Sequence, residues 1–216
     1  MQANTVLSYD PLDTDDDAGF EAVRRIYEHA IVASERKTAE ELRHMIRRED
    51  YRFFVAREAG TVVGFSIAFV AKEEPLALLE YMAVAPEHRS RGLGAELFSA
   101  TVRSLLEGAP GCCILLEVDS PREASPDQQL RVRRQDFYRR LGCRRVDDLH
   151  YILPLPGNMP QMDLFLYVDA PPPLRVSREQ VRRWLQIVYD RVYECSREDP
   201  RIGRMLHGTP EHLPLI

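Results

Sequence analysis

Between the end of one apolar run and the start of another the chain reads Pro86-Glu87-His88-Arg89-Ser90-Arg91-Gly92-Leu93-Gly94-Ala95. Glycine accepts positive φ and admits close approach, so successive N–H groups around Gly92 and Gly94 can curl about a phosphate. A helix that starts there leaves its first N–H groups without helical partners and points the positive end of its dipole at the same place. Arg89 and Arg91 add charge. The stretch therefore reads as a pyrophosphate cradle, although a tight turn into an ordinary helix would read the same over so few residues. The residues after Gly94 narrow the nucleotide. Ala95-Glu96 stands where a P-loop kinase needs Lys-Ser/Thr. Leu97 stands where a dinucleotide fingerprint needs a small residue, and the loop does not follow the first strand of a parallel unit.

The elements that must position this loop are legible from periodicity. A short strand from Val6 to Tyr9 precedes Phe20, Val23, Ile26, Tyr27 and Ile31, which recur at helical spacing. Thr38-Ala39-Glu40-Glu41 is a capping box opening a second helix to about Arg48. The period then changes: Arg52 to Glu58 and Thr61 to Lys72 predict two strands joined at Ala59-Gly60, and Leu76 to Val84 a third, an antiparallel meander. Gly92 to Leu106 is a helix stopped near Gly108-Ala109-Pro110-Gly111, and Ile114 to Val118 a buried central strand. A polar loop, Asp119 to Gln129, leads to a helix from about Leu130 to Leu141. Arg145 to Leu153 and Met162 to Val168 complete the strands. After Pro171-Pro172-Pro173, Ser177 caps a tail helix with Val181, Trp184, Leu185, Val188 and Val192 on one stripe, which packs on the domain or on a second copy. The expected fold is α+β, a mixed, mostly antiparallel sheet flanked by helices, with a catalytic domain over residues 1–170 and a linker and helical tail over 171–216.

With 216 residues and 44% apolar side chains, the chain can bury one good core. A net charge of -5 opposes binding to nucleic acid or anionic membranes. Of the 29 basic residues only Lys37 and Lys72 are lysines, a skew without functional meaning by itself. Cys112, Cys113, Cys143 and Cys195 lack metal-ligand spacing, as do the six histidines, so no metal is expected. No apolar run reaches membrane-span length and the first residues show no secretory signal, which makes a reduced, cytoplasmic protein the expectation.

The run Leu78-Leu79-Glu80-Tyr81-Met82-Ala83-Val84-Ala85-Pro86 and the following Arg89-x-x-Gly92-x-Gly94 resemble the strand, loop and helix start that bind acyl-CoA in the GNAT acetyltransferases. Asp136-Phe137-Tyr138-Arg139-Arg140-Leu141-Gly142-Cys143 is similar to that family's second motif, and the element order from Val6 to Val168 is also the family's. The resemblance implies acetyl-CoA as co-substrate, with its pantetheine arm between the fourth and fifth strands. Met82, Ala83 and Val84 would line that arm, and amides of Arg91, Gly92, Leu93, Gly94 and Ala95, with Arg89 and Ser90, would hold the pyrophosphate. A dimer is the family's common habit.

Acyl transfer to an amine requires a base for the ammonium and benefits from an acid for the departing thiolate. Tyr138 matches the family's usual acid; packing beside Phe137 is the alternative. Glu80 lies on the strand carrying the thioester contact, and strand alternation puts it on the face of Met82 and Val84. Partial burial would raise its pKa toward usefulness; an exposed or ion-paired carboxylate is the alternative. Glu117 and Asp119 are rival bases or anchors for a cationic substrate. Arg133 and Arg134 depart from the commonest family pattern, an Asn at the helix start, and are expected to pair with nearby carboxylates such as Glu117. The loop from Asp119 to Gln129 either walls the acceptor pocket or is a solvated insertion. The function expected is transfer of acetyl to a primary amine of a small molecule. Peptide or protein N-acetylation and a non-catalytic acyl-CoA-sensing module are the alternatives.

Overall fold

The computed structural model describes residues 7–156, 161–168 and 175–216. Its chain divides into two units, Met1–Lys72 with Leu79–Pro110, and Glu73–Leu78 with Gly111–Ile216. Pro171 to Pro173 lie outside the described residues.

The first unit begins with strand β1 (Leu7–Pro11) and helix α1 (Asp17–Ala30). Asp16 caps α1 by accepting from the Gly19 N–H. Helix α2 (Ala39–Arg47) opens on the capping box that Thr38 and Glu41 predict, with both reciprocal bonds formed. Strands β2 (Tyr51–Glu58) and β3 (Thr61–Val70) are an antiparallel hairpin. Ala59 and Gly60 both have positive φ, 50° and 82°, as the twist of a two-residue hairpin demands. Residues 79–84 of β4 (Leu76–Val84) and helix α3 (Leu93–Gly108) complete the unit. The α1 side of its sheet buries Phe20, Val23 and Tyr27 of α1 with Phe65, Ile67 and Phe69 of β3, and the Tyr27 and Phe65 rings lie 6.1 Å apart. On the α3 side Ala56, Val63, Leu93 and Leu97 form a cluster to which Met82 and Val84 are packed.

The second unit takes residues 76–78 of β4, then β5 (Cys113–Asp119), α4 (Gln128–Arg140), β6 (Arg144–Arg145) and β7 (Met162–Tyr167). β7 pairs antiparallel with both β5 and β6. The sheet has seven strands in the order β1-β2-β3-β4-β5-β7-β6, and the expected mixed fold of mostly antiparallel strands flanked by helices is the one observed. β8 (Arg175–Ser177), α5 (Arg178–Arg191), α6 (Pro200–Leu206) and β9 (His212–Pro214) come next, and β8 pairs with β9 as a separate ribbon.

The strand expected from Arg145 to Leu153 is a correction. β6 has only two residues, and residues 214–216 pair along the edge it presents. The Arg145 N–H donates to the Ile216 carbonyl at 2.7 Å, the Ile216 N–H returns to Arg145 at 3.0 Å, and Asp147 donates to Pro214 at 2.8 Å. Asp148, at φ 58°, then turns the chain away. Ser177 does cap α5, accepting from the Gln180 N–H, and Trp184, 3% exposed, is buried with Val181, Leu185 and Val188 inside this unit. Helix α6 and the β8–β9 ribbon have no counterpart in the pattern of the sequence: both are too short for a periodic signal.

The polar loop before α4 is pinned. Arg122 donates to Asp163, which is 1% exposed on β7, and Gln135 of α4 donates to its other oxygen at 2.7 Å. The Ser120 N–H donates to the Gln161 carbonyl at 2.8 Å. Removing one partner of a buried ion pair strands the other, so Asp163→Ala is expected to cost about 3 kcal/mol of stability. A urea midpoint within error of wild type would show that the loop is not anchored there.

Candidate active site

The cradle forms as its residue types dictate. Gly92, at φ 84°, is the N-cap of α3, and no side chain caps the helix. Ser90 also has positive φ, 62°. With Gly92 unable to cap, the Leu93 and Gly94 N–H groups keep their capacity for an external anion, whereas the Ala95 N–H, also expected in the cradle, donates to the Gly92 carbonyl at 2.9 Å. The two arginines behave differently from a pair of free phosphate ligands. Arg89 Nε donates to the Val84 carbonyl at 3.1 Å and ties the loop to the end of β4. Arg91 pairs with Glu58 at 2.5 Å, and His88 Nδ1 lies 2.8 Å from the same carboxylate. Arg91 and His88 hold Glu58 well below the usual carboxylate range, the Arg91 bond first among the causes. Any side chain at Gly92 meets the left-handed penalty, about 1–2 kcal/mol. Gly92→Ala should therefore weaken CoA about tenfold in calorimetric titration, and an unchanged affinity would remove the loop from the binding site.

Glu80 is a buried carboxylate of the first unit, its side chain 3% exposed. Oε2 accepts from the Tyr51 hydroxyl at 3.0 Å; Oε1 has no hydrogen-bond partner, with Lys37 Nζ 3.5 Å away. Its surroundings place it on the α1 side. Tyr51 lies opposite Phe69 in the β2–β3 register and packs on that ring at 5.8 Å, while Tyr81 meets Tyr27 of α1 edge-on at 5.0 Å. Glu80 therefore keeps company with Tyr81, and the expectation that it shares a face with Met82 and Val84 is corrected. One extra residue in a strand breaks alternation in this way. Burial raises the Glu80 pKa, against the opposing pull of the Lys37 charge and of the Tyr51 and Tyr81 hydroxyls. Both phenols are themselves pushed up by burial and then by the Glu80 charge, so they stay protonated donors.

In the second unit Tyr138 stands in the last turn of α4, which closes at Gly142 with φ 94°; the Cys143 N–H donates back to the Tyr138 carbonyl at 3.0 Å. Its ring meets Phe137 edge-on at 5.2 Å. Burial pushes the phenol up to about 12, moderated by Arg134. Asp119 pairs with Arg134, so the carboxylate partner of that arginine is Asp119 and not Glu117. Glu117 instead accepts from two phenols, Tyr151 on one oxygen and Tyr193 on the other.

The cradle and Glu80 thus belong to the first unit, and Tyr138, Glu117 and Asp119 to the second. Sequence reasoning missed Lys37, Tyr51 and Tyr81 around Glu80, and Tyr151 and Tyr193 around Glu117. None lies in a motif; the one available signal was that Lys37 is a rare lysine. Among the described residues no group of three or more His, Cys, Asp or Glu could hold a metal ion, and no helix is long and apolar enough to cross a membrane.

Comparison with known proteins identifies the family. An acetyltransferase (GNAT) family model matches residues 20–143. A solved structure of a GNAT-family acetyltransferase from Bacteroides thetaiotaomicron is similar at 20% identity and a TM-score of 0.65, covering 86% of this chain and 98% of that one. The ribosomal-protein-S18-alanine N-acetyltransferase from Escherichia coli is similar at 19% identity and a TM-score of 0.57, covering 78% and 97%. An aminoglycoside acetyltransferase from an uncultured soil metagenomic sample, solved with sisomicin, is similar at 18% identity and a TM-score of 0.51, covering 71% and 96%. No curated protein matches the sequence. With the family model spanning more than half of the chain, the chain belongs to the GNAT family of acetyltransferases.

Proposed function

We propose that this acetyltransferase moves the acetyl group of acetyl-CoA to a primary amine of a small-molecule acceptor, by direct attack in a ternary complex. The observation that carries the reading is Glu80: a carboxylate 3% exposed, one oxygen bonded to Tyr51 and the other paired only with the Lys37 ammonium at 3.5 Å, on the strand that runs into the glycine loop. The cradle fits the co-substrate, since a left-handed Gly92 without a side-chain cap suits a diphosphate. Amides from Arg91 to Gly94 hold the pyrophosphate, and backbone groups of Met82, Ala83 and Val84 hold the pantetheine arm and orient the thioester carbonyl. Acetyl-CoA supplies the activated acyl group.

The chain's side chains handle the protons. Glu80 in its ionised form accepts the proton of the acceptor ammonium, and its raised pKa makes it a better base than an exposed carboxylate. Tyr138 donates a hydrogen bond to the departing sulfur. A phenol at about 12 does not release its proton to a thiolate of pKa about 8.5 before bond cleavage, so its contribution grows as charge develops on sulfur. Glu117, whose oxygens accept from Tyr151 and Tyr193, favours cationic acceptors through its negative charge near the end of β5, where the charge of Asp119 is matched by Arg134. The resemblance to an enzyme named for a ribosomal-protein alanine keeps a peptide acceptor as the second reading.

The test is CoA thiol release from acetyl-CoA across aminoglycosides, polyamines, amino acids and short peptides, with an amine-free background. Release with one class of small amine is expected. Release with peptides alone would overturn the small-molecule assignment.

A further inference from the structure

Lys37 and Lys72 are the only lysines of the chain, and their settings differ. Lys72 is 62% exposed and pairs with Glu49 at 2.7 Å on the surface. Lys37 is 24% exposed, and its ammonium lies 3.5 Å from Glu80 Oε1, the oxygen without a hydrogen-bond partner. The segment bearing it is fixed, because the Lys37 N–H donates to the buried Tyr27 hydroxyl at 2.8 Å. Tyr51 from β2, Tyr81 from β4 and Tyr27 from α1 face the same carboxylate, and Arg48 at the end of α2 adds a second positive charge nearby. A primary amine thus already stands beside the group proposed to deprotonate primary amines.

We infer that Lys37 is itself an acceptor, a site of self-acetylation served by Glu80. The inference rests on the proposed role of Glu80 and of the glycine loop. Glu80 takes one proton from Lys37 Nζ, which a water-poor setting favours because two charges become none. The neutral Nζ attacks the acetyl carbonyl of acetyl-CoA; the N–C bond forms and the C–S bond breaks. As the tetrahedral adduct collapses, the second amine proton passes to the departing CoA sulfur, so that CoA leaves as its thiol. The product amide is uncharged, so Glu80 loses the cation that stabilises its ionised form and the enzyme loses part of its base. Self-acetylation would act as a brake when acetyl-CoA is abundant and acceptor scarce.

The experiment incubates the full chain with acetyl-CoA and no amine and follows acetylation of Lys37 and Lys72 by peptide mass spectrometry. Exposed Lys72 reports uncatalysed chemistry within the same molecule. Lys37 is expected to acquire the acetyl group faster, at a rate independent of protein concentration. Glu80→Gln should slow Lys37 roughly a hundredfold and leave Lys72 unchanged. Should that variant fold poorly, excess desulfo-CoA with the unaltered protein serves instead, suppressing Lys37 and sparing Lys72. Lys37 acetylation no faster than that of Lys72, insensitive to desulfo-CoA, or rising with protein concentration overturns the inference. If Lys37 stays unmodified while amines in the acceptor panel release CoA, self-acetylation falls and the proposed function stands. Silence in both assays removes both.

Discussion

Glu80→Gln is expected to lower kcat for amine acetylation by roughly 10²- to 10⁴-fold, the range over which a positioned base contributes, while KM for acetyl-CoA changes little. Gln keeps the shape of the side chain and its bond to Tyr51 but cannot take a proton. The pH profile provides the second readout. Burial raises the Glu80 pKa, so the ionised base is lost at a higher pH than for an exposed glutamate, and wild-type activity should fall on the acid side with a limb that the variant lacks. Stability carries the opposite sign. A carboxyl whose folded pKa exceeds its unfolded value binds protons preferentially in the folded state, so its contribution is greatest at low pH and declines as pH rises through the folded pKa. The stability of wild type relative to Glu80→Gln should therefore decline as pH is raised from the acid side. A variant with near wild-type turnover and an unaltered acid limb would move the base elsewhere, with Asp119 and Glu117 next in line.

Tyr138→Phe should reduce kcat by ~10²-fold or more and leave the fold intact, because the ring still packs edge-on against Phe137. With the phenol near 12, no basic limb attributable to Tyr138 should appear below about pH 10. The discriminating measurement replaces the thioester by an acyl donor whose leaving group needs no assistance. The deficit of the variant should shrink with such a donor, and a deficit equal for both donors would reduce Tyr138 to a packing residue.

Much of the first unit could be read from local chemistry. Thr38 and Glu41 announce a helix start through their own reciprocal bonds, and Ala59-Gly60 marks a hairpin between two runs rich in Phe, Val and Ile. Gly92 had to be glycine or strained. These signals are local, and so they survive in the sequence. The partners of the carboxylates are not local. Tyr51 is 29 residues from Glu80, and Tyr193 is 76 residues from Glu117. No spacing rule connects such pairs. The face of Glu80 was misread for a related reason: alternation assumes regular pairing, and a single irregularity in a strand reverses every inference beyond it. The strand after Arg145 was overextended because its apolar residues, Val146, Leu149, Tyr151 and Leu153, are buried without being paired in β6.

The backbone bonds between residues 145–147 and 214–216 also bear on how the chain is made. Their two halves are separated by about seventy residues, a long loop to close before the contact yields any free energy. During vectorial synthesis the sheet edge at Arg145 emerges well before its cover and offers open hydrogen-bonding groups in the interval. The second unit can complete this edge only after residues 214–216 have left the ribosome, whereas the first, whose residues run to 110, can mature earlier.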